Sequence, residues 1–104
     1  MAQITRNSTP IIHLDMPIPV GGICALIVVF KQGNKVVFKK MINDVRLDRR
    51  RKQVSFPLTK EETGSLTAYK NVHIQLTAKF SNGTQIPFGE TSMYVIDTLT
   101  DEEL

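Results

Sequence analysis

The chain has 104 residues, 41% hydrophobic and 22% charged, with one cysteine and no tryptophan. That describes one globular domain with apolar side chain for one core, and it excludes a wholly disordered chain, an internal disulfide framework and a cysteine-built zinc site. The formal charge of +3 is unevenly spread: residues 1–60 carry 11 Lys or Arg against 3 Asp or Glu, a net of +8, and residues 61–104 carry 2 against 7, a net of −5. Such asymmetry points to a polyanionic partner or to self-association of unlike faces, unless folding interleaves the two halves.

Residues 1–9 read as a flexible N-terminal segment. They are mostly polar, carry one charge at Arg6, and contain no apolar stretch of the kind a secretory signal needs. The sequons Asn7-Ser8-Thr9 and Asn82-Gly83-Thr84 carry no weight without a secretory route. Pro10 to Met16 reads as a first strand, with Pro10 near its start where a missing N–H is tolerated. The run from Pro17 to Phe30 is shorter than the roughly 20 residues of a spanning helix, and Pro19 and Gly21-Gly22 interrupt it, so no membrane association is expected. Its second half, Ile23 to Lys31, is continuously apolar and predicts a central strand covered on both faces. Cys24 lies inside that run and reads as a small buried hydrophobe, with no neighbouring base or positive charge to make a thiolate.

Gly33-Asn34 between apolar runs predicts a hairpin into Lys35–Met41. Asn43 to Lys52 is polar and reads as a connecting loop. Gln53 to Leu58 alternates, placing Val54, Phe56 and Leu58 on one face. Thr59-Lys60-Glu61-Glu62 fits a capping box that Gly64 soon ends, predicting one short helical turn that bridges two sheets. Val72, Ile74, Leu76, Ala78 and Phe80 then alternate with His73, Gln75, Thr77 and Lys79, the pattern of a half-buried antiparallel strand. Asn82-Gly83 marks a turn, and Gln85–Phe88 with Thr91–Leu99 read as two strand pieces bent at Gly89. The acidic tail 100–104 is expected to fray. About seven short strands with regular turn signals argue for a domain over 10–99 that is an antiparallel sandwich or a small barrel.

Chemistry is hard to find in this pattern. His13 and His73 have no partner at metal-ligand spacing. Glu61-Glu62 belongs to the capping turn, and Asp15, Asp44, Asp48 and Asp97 are scattered near predicted strand ends. Neither a nucleophile elbow nor a phosphate-cradling glycine loop is present, so no enzyme activity, cofactor, metal or small-molecule substrate is predicted. Two groups remain as candidate contact residues. One is the basic stretch Arg46, Arg49, Arg50, Arg51 and Lys52, whose guanidinium forks suit phosphates and which Lys31, Lys35, Lys39 and Lys40 of the preceding hairpin extend if they fold beside it. No aromatics interleave with it, and no recognition helix accompanies it, which favours an exposed, solvated loop. The other is the polar sheet face His73, Gln75, Thr77 and Lys79.

Three segments, Gln32–Phe38, Val54–Thr63 with its Leu58-Thr59-Lys60-Glu61-Glu62-Thr63 turn, and Val72–Phe80 with Val72-His73-Ile74-Gln75-Leu76, resemble a family of small structural proteins from phages and prophages of Gram-positive bacteria. The resemblance spans about residues 11–99, and the sequence departs from it at Arg46–Lys52. It implies an immunoglobulin-like or related sandwich and a non-enzymatic structural or accessory role in the virion, at the distal tail or baseplate. The protein would act through self-association and contacts with other phage structural proteins, residing in the host cytoplasm during assembly and then in the virion. The alternative is a nucleic-acid-binding module using the basic stretch 46–52. A carbohydrate-binding sandwich is weaker still, since tryptophan is absent and Tyr69 and Tyr94 are the only polar aromatics.

Overall fold

Alternation of β-branched and aromatic residues with polar ones sets the architecture, seen here in a computed structural model that describes residues 3–17, 20–88 and 91–97. In chain order the strands are β1 Gln3–Thr5, β2 Ile11–Asp15, β3 Ile23–Gln32, β4 Lys35–Met41, β5 Arg46–Asp48, β6 Gln53–Pro57, β7 Asn71–Phe80, β8 Gln85–Pro87 and β9 Thr91–Ile96. A 3-10 turn at Ile42–Asp44 precedes β5, and one short helix, α1 Lys60–Gly64, joins β6 to β7. The larger sheet runs β1-β9-β7-β3-β4, with β8 also paired to β7, and the smaller runs β2-β6-β5. All pairings are antiparallel except β1 with β9.

The chain changes sheet between β1 and β2, between β2 and β3, between β4 and β5, and again through α1 between β6 and β7. This is the strand arrangement of a variable-type immunoglobulin sandwich, in which the sheet of the C, F and G strands gains a further strand at its edge. Here β3, β7 and β9 take those three places, and β4 is the added strand. The fold is therefore an all-β antiparallel sandwich of the immunoglobulin-like kind. The two hallmarks of antibody domains, a disulfide between the sheets and a core tryptophan against it, are replaced by hydrocarbon. Phe30 of β3 meets Phe56 of β6 edge-to-face across the sheets, with centroids 5.9 Å apart, and stacks on Phe38 of β4 at 4.4 Å. Phe30 and Phe56 are 0% and 1% exposed. Burial of each ring contributes about 1.5–3 kcal/mol, and the paired geometry roughly 0.5–1.5 kcal/mol more.

Several expectations are corrected. Strand β3 is central in its sheet, but only one of its faces is covered by the second sheet. Leu26, Val28 and Phe30 are buried, whereas Ile27 and Val29 are half-buried on the outward side. Cys24 is exposed, not buried, because the pairing register shifts between Ile23 and Ala25 and takes it out of the inward row. The N-terminal segment is not loose over its described residues: β1 adds in parallel to β9, and Ile4 is 1% exposed. The polar stretch 43–52 contains most of the 3-10 turn and the whole of β5, which pairs with β6, and with β1 this brings the strands among the described residues to nine. The expected bend at Gly89 and the tail 100–104 lie outside the described residues, although β8 and β9 form the two expected pieces.

Polar groups close one end of the sandwich. The predicted capping box forms, with the Thr59 hydroxyl accepting from the Glu62 N–H at 3.1 Å and Glu62 Oε1 accepting from the Thr59 N–H at 2.8 Å. The same Glu62 oxygen takes the ammonium of Lys40 at 2.6 Å. Lys40 is 7% exposed, since it stands opposite Val28 on the inward side of β4, so it leaves the predicted lysine patch. Thr63, fully buried, accepts from the Ser8 N–H at 3.0 Å and donates to the Ser8 carbonyl at 2.8 Å, fastening the link between β1 and β2 onto α1.

Two outcomes follow from this geometry. Thr63→Val leaves both main-chain groups of Ser8 unmet and is expected to cost about 1–3 kcal/mol in denaturant unfolding, while Thr63→Ser, which keeps the hydroxyl and loses one methyl, costs about 1 kcal/mol or less. Cys24 is expected to react with an aromatic disulfide reagent in the folded protein without denaturant; protection until unfolding would contradict its exposed position.

Candidate functional site

The basic stretch that is continuous in sequence divides in space. Arg46 lies on β5 opposite Ser55, which in turn faces His13 on β2, so Arg46, Ser55 and His13 form one row across the outer face of the smaller sheet. The next row is Asp48, Gln53 and Asp15, with the Gln53 amide donating to Asp15 Oδ1 at 3.0 Å. Two carboxylates therefore stand between Arg46 and the turn that carries Arg49, Arg50, Arg51 and Lys52, all exposed. That turn is tightly built. Asp48 Oδ1 accepts from the Arg51 N–H at 3.1 Å, Lys52 adopts a left-handed φ of 52°, and its carbonyl accepts from the Met16 N–H at 2.8 Å. Short polar side chains close such turns by bonding to the main chain two or three residues on, leaving the intervening side chains to project. The Arg51 guanidinium, 75% exposed, approaches Asp48 only to 4.0 Å, a contact that adds little.

The turn sits at one end of the sandwich. The Arg49 side chain runs alongside Gly21, its Nε 3.8 Å from where a β-carbon would stand. The Gly22 carbonyl accepts from the Ser81 N–H at 2.8 Å, bringing in the turn between β7 and β8. Between these loops lies an open groove of about 320 Å³ lined by Gly21, Gly22, Phe80, Ser81, Asn82, Thr84 and Ile86. Sequence reading misses this groove. Its only traces are the paired glycines 21–22 and the Asn82-Gly83 turn, which become one feature once β3 and β7 pair. A second, more polar pocket of about 220 Å³, whose walls include Gln32, Lys35, Ser65, Thr67 and Lys70, lies at the opposite end beside the β3–β4 hairpin.

The second predicted group, His73, Gln75, Thr77 and Lys79, does project from the outward face of β7, with His73 and Thr77 half-buried and Gln75 and Lys79 exposed. It shares that face with Ile27 and Val29 of β3, opposite Thr77 and Gln75, and with Met41 and Lys39 of β4, opposite Ile27 and Val29. Lys31 lies between His73 and Val36 in the next row. The two predicted groups thus occupy different sheets. Lys79 alone stands near the end that carries the basic turn. Among the described residues no three His, Cys, Asp or Glu side chains gather as a metal site, and no helix is long and apolar enough to cross a membrane.

No protein-family model matches the sequence, and no curated protein matches it. Among solved structures the chain is similar to the V domain of amphioxus IgVJ-C2, at 9% sequence identity over 92% of this chain and 99% of that one, with a TM-score of 0.39.

Proposed function

We propose that this chain is a non-catalytic structural domain that self-associates and docks onto other proteins of a larger assembly, in the phage virion setting that its sequence resemblance suggests. The observation that supports assembly most directly is the outward face of the larger sheet. Ile27 and Val29 are half-buried there, Met41 is 50% and Val36 is 42% exposed on the neighbouring edge strand, and Lys31 and Lys39 rim the apolar stripe. Among the described residues β4 pairs on one side only, with β3, and is an edge strand of the larger sheet. A short apolar strip flanked by polar and charged side chains, next to an edge strand, supplies the ingredients of a protein–protein contact. A tail or baseplate position, with assembly in the host cytoplasm, rests on the resemblance. Light scattering on the purified protein is expected to give a mass that is a whole multiple of the chain, and Met41→Asp is expected to weaken that association at least about tenfold by placing a charge on the apolar stripe. A strict monomer at millimolar concentration and low salt would overturn self-association.

The exposed turn Arg49–Lys52 favours a second reading, a nucleic-acid contact, now without Arg46. It predicts duplex binding with a log–log salt slope of about −3.6, roughly −0.9 for each of four phosphates neutralised, and its loss in the Arg49→Ser, Arg50→Ser, Arg51→Ser triple variant. Binding that survives in that variant with its salt slope unchanged would exclude the turn as the contact.

A further inference from the structure

We propose that the basic turn Arg49–Lys52 receives the acidic segment Asp101–Glu103 of a second copy of this chain, linking copies head to tail; the proposal rests on the self-association reading and names a second surface for it. The turn and the end of β9 lie at opposite ends of the sandwich. Tyr94 stands level with Asn71, the first residue of β7, and β9 continues two residues beyond it to Ile96. The basic turn lies beside Gly21, and Gly22 bonds to Ser81, just past Phe80 at the far end of the same strand.

Reach then decides between copies. Ten residues of strand cover about 30 Å, and the three from Tyr94 to Asp97 add roughly 10 Å in the direction away from the turn. Glu103 comes six residues after Asp97; a chain extends at most about 3.6 Å per residue, roughly 22 Å here, and the facing Glu and Arg side chains add roughly 10 Å, still short of about 40 Å. The acidic residues of one molecule therefore fall short of its own basic turn, and the contact they fit is intermolecular.

The chemistry matches. Three carboxylates in sequence meet three guanidiniums and an ammonium on an exposed turn, and Arg forks take carboxylates in bidentate geometry. Arg49 lies beside Gly21, which lines the groove together with Phe80 and Ile86 and so offers an apolar surface near the turn for Leu104, the residue following the acids. A contact between unlike surfaces repeats, building rings or open chains.

The test uses the full chain carrying Met41→Asp, so that the sheet-face contact is removed. That parent is expected to associate at low salt and to lose association at least about tenfold by 0.5 M salt. In it, one variant carries Asp101→Asn, Glu102→Gln and Glu103→Gln, and another carries Arg49→Ser, Arg50→Ser and Arg51→Ser. Each alone is expected to be monomeric, with the parent's melting temperature. Mixed one to one, they are expected to form a pair of twice the monomer mass and nothing larger, since one intact turn meets one intact acidic segment. Arg→Lys at the same three positions is expected to retain association within a few-fold. A parent that is monomeric at millimolar concentration overturns the head-to-tail contact, while the mass of the unmodified protein judges self-association separately. Variants that associate as the parent does also overturn it. So does a mixture that stays monomeric while the basic turn captures a DNA duplex, which would award the turn to nucleic acid.

Discussion

The contact of Phe30 with Phe56 is the constraint on which the sandwich depends. With one cysteine, and that one exposed, no covalent bridge joins the sheets. Cohesion rests on the volume that inward side chains fill between them, where interiors are as dense as organic crystals and a missing methylene is felt. Phe30, Phe38 and Phe56 provide the bulk, and Val28, Val54, Val72, Ile74 and Leu76 complete the layer around them. The same demand fixes register. A slip of one residue in β7 would put His73 and Gln75 where Val72 and Ile74 now pack, so pairing errors carry the cost of burying polar groups.

A sandwich held by packing alone must also finish its ends, where main-chain groups leave the ladders. At one end α1 does this. Thr59 and Glu62 satisfy the first turn of the helix, Glu62 also holds the ammonium of Lys40 from the opposite sheet, and Thr63 captures both main-chain groups of Ser8. Arg6 adds a bond from Nη1 to Asp97 and one from Nη2 to the Gly64 carbonyl. A buried Lys–Glu pair is costly to desolvate, and its merit here is specificity, since the Glu62 oxygen that caps α1 also positions β4. Closing this end with polar side chains leaves the other end to loops: the basic turn, the paired glycines and the β7–β8 turn.

The two surfaces that remain differ in physics. The outward face of the larger sheet carries a short apolar strip, Ile27, Val29 and Met41, between the polar row of β7 and Lys31 and Lys39, suited to a contact whose strength comes from excluded water. The basic turn is charge on a rigid support, suited to recognition that salt weakens. The assembly role proposed above uses both kinds, one for cohesion and the other for direction and encounter rate.

Much of this architecture is legible in the sequence because strand alternation is a local property. The nine residues from Val72 to Phe80 announce a half-buried strand, Gly33 a hairpin, and Thr59 with Glu62 a capped turn, and each appears where the pattern places it. What local pattern does not carry is which distant segments become neighbours. The apolar run at Ile23 looks covered on both sides, but coverage is set by a second sheet that meets only one face. Cys24 turns outward through a register shift that exists only because β3 pairs with β7. Lys40 reads as one more surface cation until α1 brings Glu62 to it. The run Arg46–Lys52 reads as one patch, whereas pairing of β5 with β6 lifts Arg46 onto a sheet face and sets Asp48 and Asp15 between it and the turn. The sequence by itself determined the longer strands, the turns and the capped helix, though not the three-residue β1 and β5, because side-chain periodicity and main-chain conformation act over a few residues. Tertiary structure alone decided which charges share a surface, because that depends on strand pairing across tens of residues.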